Sequence, residues 1–427
     1  TVTTTGAVEA VNGVGVYAKN GEDLNGFYGN GEGYVFVFPI GIVPSDKDPV
    51  DPENFPRYDP AGTDLTITTN GPVNAFTNGV YGYNNGSGAL TITANGNVTT
   101  DSGETFRGDA IRAVQRDIYG FERVNTNSDS ALFEATGTSM SITAIGDLDA
   151  QSHGVYAYNM GSEGLDVTVT GDIDAESFGM NLDNEYGGDL TVNMVGSITA
   201  SAFGIDARNG SRSPRGQYEG IVSIYVDGSI ETENSDGIRG RNRYDGDLEI
   251  TVTGDVVSDF NQGIEAVHSA TGNMVIDIGG SVTAHPDATF QGEGIDAEHS
   301  AIGSMMITVD GNITSGGEGI ISEHKGDGDM SITTYGMIQS TRQEGFDVKH
   351  EGEGDISITA YGDLIVDNEG IEVDHYGTGN ILISSSDVTG GSDGIDAIFD
   401  ESGTGALSIT TTGTVTGTSD YGIYARA

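Results

Sequence analysis

The sequence predicts an all-β fold, a single right-handed parallel β-helix of about 14 coils with roughly 25 residues per coil. Three observations carry this expectation. A motif of alternating strand residues ending in glycine, Leu165-Asp-Val-Thr-Val-Thr-Gly171, returns about 25 residues later as Leu190-Thr-Val-Asn-Met-Val-Gly196 and keeps returning. Every repeat holds three short stretches in which Ile, Val, Leu and Ala alternate with Thr, Asp, Ser and Glu, the period-2 mark of strands with one buried face. Composition agrees: 67 of 427 residues are Gly but only 9 are Pro, with no Gly-X-Y triplet, and 36% are hydrophobic. That is too few for a thick core and enough for a narrow one that takes one apolar face per strand.

The elements follow in order along each repeat. The first strand reads Leu-x-Val-x-Val and ends at the turn glycine, found at Gly6, Gly71, Gly96, Gly146, Gly171, Gly196, Gly228, Gly254, Gly280, Gly311, Gly336, Gly362 and Gly413. One further unit, from Ile381 to Val388, has lost its glycine. The second strand is x-Ile-x-Ala. The third begins at a glycine, as in Gly204-Ile-Asp-Ala207. Counted from that glycine, positions +1, +3 and +5 face inward and +2 and +4 outward. Position +5 forms a corner ladder that includes Asn159, Asn184, Asn209 and Asn242, then His268, His299, His324, His350 and His375, then Phe399. A stacked Asn amide can bond the Asn above and below and satisfy turn backbone groups. The His residues that take over the slot are expected to stack, neutral, because protonated neighbours would repel; transition-metal binding is the alternative. Coils stacked about 4.8 Å apart give a rod on the order of 65 Å long. The chain is expected to be one continuous β-helix over 1–427 with two insertions. Residues 24–63 are Pro-rich and carry an apolar run from Tyr34 to Val43 followed by acids; residues 97–139 contain Arg107, Arg112, Arg116 and Arg123, with the third strand of that coil expected at Gly120–Asn125.

Asp plus Glu number 65 against 17 Lys plus Arg, a formal net charge of −48. Such a field argues against nucleic acid and anionic membrane surfaces as partners. No apolar run is long enough to span a bilayer. The chain has no Cys, which excludes disulfides and thiol chemistry. It starts at Thr1, which reads as a processed product or a trimmed chain. The outward carboxylates Asp296, Glu298, Glu323, Asp347, Glu372 and Asp374 read either as calcium ligands or as a solvated acidic face. Tyr34, Phe36 and Phe38 in the apolar run, and the cluster Arg208, Arg212, Arg239 and Arg241, are candidate interaction residues; the arginines read either as anionic-glycan contacts or as local charge compensation. No Ser-His-Asp order, HExxH or P-loop is present, so no enzymatic activity is expected, although paired carboxylates keep a β-helical polysaccharide lyase or hydrolase as an alternative.

The motifs Gly154-Val-Tyr-Ala157, Gly204-Ile-Asp-Ala207, Gly294-Ile-Asp-Ala297, Gly394-Ile-Asp-Ala397 and Gly422-Ile-Tyr-Ala425, with stretches such as Leu407-Ser-Ile-Thr-Thr-Thr-Gly-Thr-Val-Thr-Gly-Thr418, resemble the passenger regions of autotransporters. These are proteins secreted across the outer membrane of Gram-negative bacteria. The resemblance covers nearly all of the chain outside the two insertions. It implies an extracellular, cell-surface structural or adhesive protein with a host or matrix glycan or protein as partner. The alternative is a subunit that self-associates head to tail into a filament, with the Tyr34–Val43 run meeting the final coil of another copy.

Overall fold

A computed structural model describes residues 1–10, 13–20, 64–84, 88–101, 108–115, 138–210, 218–285, 292–400 and 403–427. They form three parallel sheets of 14 strands each, and every strand between the first and last coils pairs with its counterparts in the previous and the next coil. The result is the expected right-handed parallel β-helix of about 14 coils, with no helix among the described residues.

One coil shows how the sequence builds the rest. Strand Gly164–Thr170 ends at Gly171, strand Ile173–Ala175 follows, and strand Met180–Asn184 closes the turn. Each pairs without a slip to the next coil: Leu165 with Leu190, Ile173 with Ile198, Met180 with Ile205. Alternate residues point into a single apolar cluster that runs from Val2 to Phe399. A register shift of one residue would turn every buried Ile and Val to solvent, so the alternation fixes the register.

Two glycine positions are required by this stacking. Gly171 and Gly196 adopt φ of +135° and +134°, and a Cβ on either would lie within 2.5 Å of backbone in the coil below. At the start of the third strand, a Cβ on Gly204 would meet Ile230 Cγ2 at 2.4 Å and the Gly237 carbonyl oxygen at 2.5 Å. The first position needs a left-handed backbone; the second simply has no room.

One expectation is corrected. The third strand between Val80–Asn84 and Val155–Asn159 is Ile111–Gln115, which pairs with both. The corner slot of that coil is therefore filled by Gln115 and not by Asn125, and 120–125 lies outside the described residues. Here Ala110 stands where other coils have glycine and Gln replaces Asn, so both signals that mark the strand are missing. Strands Val98–Thr100 and Ile111–Gln115 thus belong to the solenoid, although both fall inside the 97–139 segment expected to be an insertion. Residues 21–63, which include the whole 24–63 insertion with Tyr34, Phe36 and Phe38, lie outside the described residues.

Candidate functional site

Polar ladders run up the corners of the solenoid. At the third-strand corner, Asn159 Nδ2 donates to Asn184 Oδ1 at 2.8 Å and Asn184 Nδ2 to Asn209 Oδ1 at 3.0 Å. The same amides donate to turn carbonyls: Asn184 to Gly187 and Gly188, Asn242 to Gly220 and Gly246. From His268 onward the slot holds rings. His268 and His299 stack at 4.7 Å and 3°, and His299 and His324 at 4.6 Å and 6°. His324, His350 and His375 then meet edge to face at 4.7 and 4.9 Å, and His375 stacks on Phe399 at 5.3 Å. All five imidazoles are fully buried. His350 and His375 present Nε2 to the carbonyls of Gly328 and Gly354 at 2.8 and 2.9 Å, and the Gly377 N–H donates to His375 Nδ1 at 3.1 Å, which fixes a neutral tautomer there. Burial, reinforced by neighbouring rings, pushes His299 down to about 3 and His324 to about 4. Burial also lowers His268 and His375. The ladder is an internal stack of buried rings.

The other two corners carry ladders of acids and amides whose oxygens accept a backbone N–H from the next coil. Asp147 accepts from Asp172, Asp172 from Ser197, and Asp255 from Ser281. Before the first strand, Asp189 accepts from Ile221, Asp247 from Asn273, and Asp329 from Asp355. Much of the chain's negative charge is thus fixed by its role in closing turns.

The outer face of the third sheet is the most differentiated surface, and it divides into two parts. In the first half, half-buried aromatic rings and arginines share this face and the corner beside it. Tyr17 packs on Tyr81 at 5.0 Å, and Arg112 lies over Tyr81 at 5.7 Å and Tyr156 at 4.3 Å. Asp109 holds both Arg112 and His153 at 2.7 Å. His153, Phe178 and Phe203 continue the stack at 5.1 and 5.0 Å, and Arg239 covers Phe203 at 3.9 Å. Arg208 and Arg239 each donate from Nε to the fully buried Asp206 at 2.9 Å, and Arg241 donates to Glu265 at 2.6 Å. These three arginines therefore neutralise acids of their own face; Arg212 lies outside the described residues.

In the second half the same face is acidic. Glu298 is held by Lys325 at 2.8 Å, and Glu323 by Lys325 at 2.9 Å and Lys349 at 3.4 Å. Burial, then the surrounding acids, pushes Asp296 up to about 6 and Glu372 to about 7, and raises Asp347 and Asp374. Beside this column stands a second one, at the residue just before the third-strand glycine: Glu293, Glu318, Glu344, Glu369 and Asp393 on five successive coils. Of the six carboxylates expected as calcium ligands, only Glu372 joins a group compact enough to hold an ion, with Glu344 and Glu369 from the second column. The recurring acid-Gly pair was visible in the sequence; counting only from the glycine forward passed over it.

Comparison with protein families, with curated proteins and with solved structures finds no match to this chain.

Proposed function

We propose that the chain is an extracellular rod of the autotransporter-passenger kind, a structural and adhesive protein of the bacterial outer surface. It presents an aromatic-and-arginine ribbon to a glycan or matrix partner and an acidic strip that takes up calcium from the medium. The observation that supports adhesion is the ribbon from Tyr17 to Arg239. Its rings are half-buried, its stacked neighbours lie about 5 Å apart, and Arg112 takes the coil between Tyr81 and Tyr156. Flat aromatic faces with adjoining arginine donors are the side chains that dominate recognition surfaces. Aligned on a stiff sheet, they lose little entropy on binding an extended polymer. Among the described residues no helix is long and apolar enough to cross a membrane.

The test has two arms. Antibody labelling of intact cells of the source bacterium reports surface display. Retention of the purified protein on a panel of immobilised neutral and acidic polysaccharides and matrix proteins reports adhesion. Tyr81→Ala with Tyr156→Ala is expected to abolish retention while circular dichroism stays unchanged. Absence of surface label, or retention unaffected by the double variant, overturns the proposal. A head-to-tail filament is the second reading and rests on the Tyr34–Val43 run in the sequence; long fibres in electron micrographs would favour it over isolated rods.

A further inference from the structure

The acidic strip contains one place built differently from the rest. Ligand oxygens of Glu344, Glu369 and Glu372 lie within 4.8 Å of one another. Oxygens at about 2.4 Å from a calcium ion span that distance when they sit on opposite sides of it. Glu344 is only 7% exposed, and Asn368 Nδ2 donates to one of its oxygens. Among the described residues no Lys or Arg pairs with these three glutamates, whereas Glu298 and Glu323 on the same face are each held by lysine.

The second observation lies one coil earlier. Glu318 occupies the position equivalent to Glu344, and the Gly319 N–H donates to the Glu344 carbonyl at 3.0 Å, so the two side chains leave the same corner one coil apart. Glu318 is 8% exposed, and its Oε2 has no hydrogen-bond partner. The charges that bear on it are those of Glu293, Glu344 and Asp347, all acidic. An almost fully buried carboxylate oxygen with no donor, facing other carboxylates, is costly unless a cation or a proton completes it.

We propose that Glu344, Glu369 and Glu372, backed by Glu318 and Asp347, form a binding site for one divalent cation of the calcium type. The donor set is oxygen only, which selects a hard cation over zinc or copper. Calcium accepts irregular, many-oxygen coordination, whereas magnesium requires near-octahedral geometry at shorter distances. This site deepens the calcium part of the proposed function and does not depend on display or adhesion.

The test is calorimetric titration of the whole chain with calcium chloride at fixed ionic strength, with magnesium chloride as comparator. One saturable site is expected, with a dissociation constant of about 10⁻⁴–10⁻³ M, as in extracellular calcium modules, and with calcium bound more tightly than magnesium. Glu344→Gln with Glu369→Gln is expected to weaken binding at least tenfold, and Glu372→Gln alone to weaken it severalfold. Asp149→Asn, on the second sheet, is expected to leave binding unchanged. Circular dichroism monitors folding of each variant; should the double variant unfold, Glu372→Gln decides alone. Saturable binding that survives these substitutions overturns this site and leaves the calcium reading standing. Absence of saturable binding in the wild type overturns both.

Discussion

Replacing His299 by Phe isolates the consequence of burying an imidazole in the corner slot. Phe399 stacks on His375 in the equivalent position, so the slot accepts an apolar six-membered ring. Neither ring nitrogen of His299 has a hydrogen-bond partner, so the substitution removes two unsatisfied buried atoms. Burial, with His268 and His324 on either side, lowers its pKa from 6.5 to about 3. A lowered histidine means that the unfolded chain binds the proton first as pH falls. The folded state is penalised progressively below about 6.5, and the penalty grows until pH reaches about 3. At pH 4.5 it amounts to about 2–3 kcal/mol, and at pH 7 it is near zero, at about 1.4 kcal/mol per pH unit. The variant escapes this penalty. Its stability relative to wild type is therefore expected to rise by about 2–3 kcal/mol between pH 7 and pH 4.5. Solenoid coils open locally, so the readout is native-state amide exchange in the coil containing His299, compared between wild type and variant at each pH. A difference that does not change with pH would refute the neutral buried stack.

Three further outcomes are expected. Asn184→Ala removes the bonds to Asn159, Asn209, Gly187 and Gly188 at a fully buried site, and should cost about 2–4 kcal/mol in chemical denaturation; a loss below 0.5 kcal/mol, the level of an ordinary surface substitution, would deny the ladder its role. Arg239→Ala leaves the buried Asp206 with Arg208 alone and uncovers Phe203, and should destabilise by about 2–4 kcal/mol, measured the same way. Asp236 is pushed up to about 7 by burial and then by Glu265, so its contribution is present below its unfolded value near 4 and lost as pH rises through about 7. Asp236→Asn should remove that alkaline loss, about 2–4 kcal/mol between pH 4 and pH 8, and an unchanged pH–stability slope would contradict it.

How much of this was legible beforehand depended on whether a residue's role repeats. Alternation and the turn glycines repeat in nearly every coil, so sheet number, register and the inward corner ladder could be read from the sequence. The third strand of the coil at 98–115 was misplaced because Ala110 and Gln115 replace the two marker residues while keeping the backbone path. The ladder in the corner slot was readable as a stack, but which histidines lie face to face and which edge to face depends on local backbone acceptors, such as the Gly328 and Gly354 carbonyls. Outward side chains were hardest to assign. Asp206 sits at an outward position yet is fully buried, because Arg208 and Arg239 close over it. Carboxylates that look alike in sequence divide into three groups by their neighbours. Asp172 caps a turn N–H, Glu298 pairs with Lys325, and one buried oxygen of Glu318, Oε2, finds no donor.

Ladders, ribbon and acidic strip all depend on one uninterrupted in-register stack, and paired cysteines read that register directly. The chain has no Cys, so introduced pairs report without background. Asp174 faces Thr199 and Glu231 faces Val257 in adjacent coils of the second sheet, whereas Asp174 and Glu231 are separated by the intervening Thr199. Adjacent positions lie about 4.8 Å apart, within disulfide or short-linker reach, and positions two coils apart lie at about twice that, beyond a disulfide. Asp174→Cys with Thr199→Cys, and Glu231→Cys with Val257→Cys, should crosslink on mild oxidation or with a short thiol linker, and Asp174→Cys with Glu231→Cys should not. Crosslinking of the two-coil pair, or failure of both adjacent pairs, would contradict the stack.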